Sequence, residues 1–70
     1  MYEKKVKKIL AKIKKKRSQL GYTQKYMADY LGISQNIYSK IELNHIQLTA
    51  CRFMVICDVL DLDPAETLKT

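Results

Sequence analysis

Four polar side chains stand close together in the middle of this 70-residue chain: Gln35, Asn36, Ser39 and Lys40. A carboxamide carries a donor and an acceptor side by side, so Gln or Asn can pair with N6 and N7 of an adenine. An ammonium can donate to O6 and N7 of a guanine. On a helix all four would share the side away from Tyr38 and Ile41, forming one outward face. Taken alone, they are ordinary solvated polar groups, and their meaning depends on what positions them.

Other chemistry has less to work with. No nucleophile is matched with a base, no carboxylate pair clusters and no glycine-rich loop could cradle a phosphate, so an enzyme is the class least supported. Cys51, Cys57 and the single histidine cannot assemble a four-ligand metal set, and no metal or other cofactor is expected. Six positions apart, the two cysteines would fall on different sides of a helix and could not pair with each other. That usage fits a reducing compartment. The start Met1-Tyr2-Glu3-Lys4-Lys5 is not followed by an apolar run of secretory type, and nothing approaches a membrane span. A cytoplasmic protein without a membrane partner is expected.

Charge narrows the partner. Residues 1–25 hold ten Lys or Arg against Glu3 alone, a balance of +9, while the other forty-five residues sum to −3, giving the net +6. Such polarity attracts a polyanion: nucleic acid or, less well, an anionic lipid surface.

The elements that must position these residues read as short helices. From Val6 to Leu20 the apolar residues recur at helical spacing among lysines, and Gly21 can end that helix. Thr23 can cap a second helix with Met27, Ala28 and Leu31 inward, stopped by Gly32. Ser34 can cap a third, carrying Ile37, Tyr38 and Ile41 as far as Leu43, with Asn44-His45 closing it. Thr49 can cap a fourth, whose Phe53, Ile56, Cys57 and Leu60 make a buried stripe. Asp63 before Pro64 starts a short fifth helix through Leu68. Hydrophobic content of 47 % suffices for one core, though a core this small benefits from a partner subunit.

Two helices of about eight residues around Gly32 have the spacing of a DNA-binding helix-turn-helix. Ala28 is small where the second helix must cross closely, and Ile33 pins the turn. With Arg17, Thr23-Gln24, Ala28, Gly32-Ile33-Ser34, Tyr38-Ser39-Lys40-Ile41-Glu42 and Leu60-Asp61-Leu62, the chain from about Ile13 to Leu68 strongly resembles the phage-repressor and Cro family of helix-turn-helix regulators. The resemblance implies an all-α, compact five-helix bundle of the lambda-repressor-like DNA-binding type. It would form a single domain over 1–70, with a basic N-terminal extension of the first helix at 1–12 and the helix-turn-helix at 23–43.

By the same resemblance Gln35, Asn36, Ser39 and Lys40 read bases. Thr23, Gln24, Lys25, Ser34, Asn44 and His45 contact phosphates, helped by helix N-termini and, at Asn44 and His45, by backbone amides. Arg17 and Glu42 form a structural ion pair. The implied partner is double-stranded DNA, bound by a homodimer on a two-fold operator, with no small-molecule ligand. The same fold also serves as an antitoxin or a protein-bridging module.

Three departures from the family pattern carry their own expectations. Lys16 stands where a buried leucine is usual, so Leu10, Ile13 and Leu20 should carry the packing while Lys16 snorkels. Leu43-Asn44 replaces the usual Asn-Gly loop opening. Cys51 and Val55 take positions usually charged, and with Leu48, Val59 and Leu62 they suggest an apolar dimer contact. Tyr38 should place its ring in the core and its hydroxyl at the protein or phosphate edge.

Overall fold

Residues that cannot continue a helix, or that start one well, divide the chain into five. The computed structural model describes residues 2–69. Its helices are α1 (Tyr2–Gln19), α2 (Gln24–Leu31), α3 (Gln35–Glu42), α4 (Ala50–Leu60) and α5 (Pro64–Leu68). No strand occurs among the described residues. The fold is thus the all-helical bundle expected. Thr23, Ser34 and Thr49 each turn a side-chain oxygen onto the N–H three residues ahead, and Asp63 onto the N–H of Ala65. Each such cap contributes about 1 kcal/mol.

The stops need a left-handed backbone. Gly21 and Gly32 supply it at φ 75° and 71°, where a side chain would be strained. Asn44 (φ 62°) and Asp61 (φ 55°) supply it without glycine, so Asn44 does the work of the glycine that the usual loop would carry.

The core is assembled from one stripe per helix. Leu10 and Ile13 of α1, Met27 and Ala28 of α2, Tyr38 and Ile41 of α3, and Phe53, Ile56, Cys57 and Leu60 of α4 are all buried. Side chains of the larger kinds contribute about 1.5–3 kcal/mol each when fully buried. The small Ala28 is wholly buried, and α2 packs more extensively on α3 than on any other helix. Burial also pushes the Cys57 thiol upward, whereas Cys51 lies exposed at the surface.

α1 begins at Tyr2, within the basic extension of 1–12, since the lysines there are good helix formers and nothing interrupts them. Two expectations are corrected. Leu20 is 40 % exposed. Gly21 reverses the chain there, and Tyr22 packs against the core instead. The Tyr38 hydroxyl is not at the protein edge: the whole residue is sealed, ring and oxygen, against the end of α1. Lys16, by contrast, is half-buried.

Candidate nucleic-acid interface

A reading surface needs a rigid base, and α3 has one at its inner end. Arg17 reaches from α1 with Nε 2.8 Å from Glu42 Oε2 and Nη2 3.2 Å from Oε1, a two-pronged pair. Its Nη1 donates to the Tyr22 carbonyl at 2.9 Å. The Glu42 side chain is only 3 % exposed and that of Arg17 12 %. Burial alone would raise the Glu42 carboxyl, but the hydrogen bonds from Arg17 and Gln24, the Arg17 charge and the nearby Tyr38 hydroxyl outweigh it and the net shift is downward. The Tyr38 phenol is pushed well above its ordinary value, first by burial and then by the neighbouring carboxylate. Its oxygen meets no partner within strict hydrogen-bonding geometry.

With that end locked, the opposite side of α3 is free. Gln35, Asn36 and Lys40 are exposed and Ser39 is half-buried, all away from the buried Tyr38 and Ile41. Among the described residues none of the four side chains is engaged in a hydrogen bond or ion pair. Two amides and an ammonium therefore project with their pairing capacity unspent.

The ends of α2 and α3 flank this face. Thr23 Oγ1 accepts from the Tyr26 N–H at 3.0 Å, and Ser34 Oγ from the Ile37 N–H at 3.1 Å. The N–H groups of Gln24, Lys25, Gln35 and Asn36 lie ahead of the first helical bonds and point outward, as the first N–H groups of any helix do. They give both termini a positive end suited to phosphate. Lys25 is exposed beside Asp29, with Nζ 3.3 Å from its carboxylate.

Three phosphate candidates are placed differently from the pattern that suggested them. Gln24 donates through Nε2 to Glu42 Oε1 at 3.1 Å and is half-buried, which leaves its main-chain N–H as its outward group. The Asn44 N–H goes to the Ile41 carbonyl at 3.0 Å and the His45 N–H to the Lys40 carbonyl at 2.8 Å. These amides close α3, so the side chains of Asn44 (half-buried) and His45 (exposed) are what remains for a ligand.

Of the residues suggested for a subunit contact, Leu48, Val59 and Leu62 are half-buried and pack on the core. Cys51 is exposed and Val55 half-buried on the outer side of α4. A feature that sequence reading missed is the aromatic ladder Tyr22, Tyr26, Tyr30, with ring centroids 4.5 and 6.4 Å apart. Its spacing of four was the available signal.

The lysines of α1 stand apart from this surface. Lys4, Lys5, Lys7, Lys8, Lys14 and Lys15 are exposed, without ion-pair partners among the described residues. Lys12 instead donates to the Thr67 carbonyl at 3.1 Å and to that of Lys69, tying α1 to the end of α5. No helix among the described residues is long and apolar enough to cross a membrane.

Residues 13–66 match a family model described as helix-turn-helix, a span of more than half the chain. No curated protein and no solved structure matches.

Proposed function

The chain belongs to the helix-turn-helix family of the phage-repressor and Cro type, and from that premise we propose that it is a sequence-specific repressor acting in the cytoplasm on a two-fold symmetric operator. One observation carries the reading: a helix fastened at its inner end by a buried ion pair presents Gln35, Asn36 and Lys40 outward with no partner of their own. In the major groove, the amides suit adenine and the ammonium suits guanine, with Ser39 beside them.

The outward N–H groups at the starts of α2 and α3, together with Thr23, Lys25, Ser34, Asn44 and His45, set the register on the phosphates. The exposed lysines of α1 add affinity that is independent of sequence and sensitive to salt. The body measures 30 × 24 × 20 Å, so two copies fit side by side on half-sites spaced about 34 Å apart, one helical turn. Repression then follows from occupying DNA that polymerase needs, without any enzymatic step.

Selection of bound duplexes from a random pool tests this directly. A consensus with two inverted halves is expected. Recovery of unrelated sequences, at affinities that differ less than about threefold, would remove the sequence-specific reading.

A further inference from the structure

A helix that is apolar on every side is normally covered on every side. α4 is apolar but for Arg52 and Asp58, and its outer side is not covered. Phe53, Ile56, Cys57 and Leu60 face the core. The outer side carries Ala50, Cys51, Met54 and Val55, of which Met54 is 55 % exposed. These positions and Asp58 repeat at four-residue spacing and form a single stripe. The stripe stands between two open grooves. One, of about 440 Å³, runs between Tyr30 and Leu31 of α2 and Cys51 and Val55 of α4. The other, of about 330 Å³, runs between Val6 and Ile9 of α1 and Ala50 and Phe53 of α4. Both reach Thr49, so the first turn of α4 protrudes as a ridge.

The charges on this ridge name its occupant. At its N-terminal end the N–H groups of Ala50 and Cys51 precede the first capped amide, that of Arg52, and the half-buried Arg52 side chain lies alongside. At the other end is the exposed Asp58. Neither Arg52 nor Asp58 has an ion-pair partner among the described residues, and six positions apart on one helix they do not face each other. The stripe runs from the positive N-terminus of α4, with Arg52 on its flank, through an apolar middle to Asp58, and is complementary to itself when reversed. Laid antiparallel on a second copy, Asp58 meets the partner's Arg52 and the positive end of its α4. The reverse pair forms at the same time, as a two-fold contact demands.

We propose that α4 is the dimer seam of this protein, with two copies packing antiparallel about a two-fold axis between Met54 and Val55. The assignment rests on the dimeric DNA-binding reading above and adds its surface, register and charge logic. An interface of ordinary size takes about 800 Å² from each partner, roughly one sixth of the 4875 Å² that this chain exposes. The apolar middle, with Tyr30 on one flank and Leu68 on the other, both at least half exposed, makes its centre, and the charged ends make its rim. Of the residues that sequence reading suggested for a subunit contact, Cys51 and Val55 belong to the seam. Leu48, Val59 and Leu62 are already spent on the core, and Met54 joins the first two.

The register is tested by sedimentation equilibrium without DNA and by oxidative cross-linking. Asp58→Arg and Arg52→Asp should each weaken self-association by about tenfold or more, and the double exchange should restore it to within about threefold. In a Cys51→Ser background, Met54→Cys should form an interchain disulfide under mild oxidation. Wild-type Cys51 should form none, since an antiparallel seam separates the two copies of Cys51 by about 10 Å along the helix. Unchanged association in both single charge variants would overturn the seam, as would cross-linking through Cys51 in place of Met54→Cys. All four positions lie outside the buried core, and an unchanged helical circular-dichroism signal confirms folding. Binding to a half-site duplex separates the two readings: if half-site binding persists while the seam tests fail, only the seam is lost, whereas absent half-site binding in the wild type sinks the DNA reading instead.

Discussion

The two sides of α3 use the same kinds of groups to opposite ends. Inward, Glu42 is almost sealed and takes hydrogen bonds from Arg17 and Gln24, so its charge is wholly occupied in joining α1, α2 and α3. Outward, Gln35, Asn36 and Lys40 are exposed and unoccupied. Eight residues thus hold a fastening and the proposed reading edge back to back. Damage on the inner side should appear as lost stability, and damage on the outer side as lost affinity with stability intact.

The inner side should give the larger effect. Glu42→Ala leaves the Arg17 guanidinium buried without its counter-charge, and the expected loss of stability is about 3–5 kcal/mol in chemical denaturation. A loss below about 1 kcal/mol would show that the pair is not a fastening. The same pair predicts acid sensitivity. Folding holds the Glu42 carboxyl below its ordinary value of 4.5, so its contribution is complete above about pH 4.5 and is lost as the pH falls through the lower folded value. In Glu42→Gln that part of the acid limb should flatten. An acid limb identical to the wild type would break the assignment.

Outer-face changes should leave denaturation curves in place. Lys40→Ala is expected to cost about 1–3 kcal/mol of binding on the preferred operator and to relax the preference at one base pair, read by titrating duplexes that differ at single positions. A uniform loss over all duplexes would make Lys40 a phosphate contact. If stability fell as well, the separation of the two sides would itself fail.

How far this division could be read in advance depended on how local its causes are. The caps at Thr23, Ser34, Thr49 and Asp63 and the stop at Gly32 act within four residues, and all were legible. The outward face of α3 followed from helical period alone. What escaped was set by chain direction or by distant partners. Leu20 continues the apolar spacing of α1, but the turn at Gly21 sends Tyr22 inward in its place. Gln24 has the right type and position for a phosphate, yet its side chain is drawn to a carboxylate eighteen positions away. The Asn44 and His45 amides turn back because α3 ends with open carbonyls at Ile41 and Lys40. Met54 attracted no notice because one exposed methionine is unremarkable until its neighbours on the same stripe prove apolar too.

A smaller effect on the inner side sharpens the role of Tyr38. Its hydroxyl is enclosed without a partner at strict geometry, and a buried hydroxyl left unpaired is a cost to the fold. Tyr38→Phe keeps the ring and should leave stability unchanged or raise it by up to about 1 kcal/mol. A loss of more than about 1.5 kcal/mol would instead mean that in solution the hydroxyl donates to Glu42 and belongs to the fastening.

The smallest expected change lies at the border of the two regions, at the start of α2. Lys25 and Asp29 form an ion pair like that of Arg17 and Glu42 in charge but not in setting, because both side chains are well over half exposed. Such a pair contributes under about 0.5 kcal/mol in water. Lys25→Ala should therefore be nearly silent in denaturation. On DNA the ammonium is free to exchange Asp29 for a phosphate, and its loss should weaken every duplex alike and lower the salt slope by about one. Asp29→Asn should do the reverse, tightening all duplexes slightly, since the carboxylate both competes for Lys25 and repels the backbone. A sequence-dependent response to either change would move α2 from the positioning surface to the reading surface, and the boundary drawn along α3 would have to be drawn elsewhere.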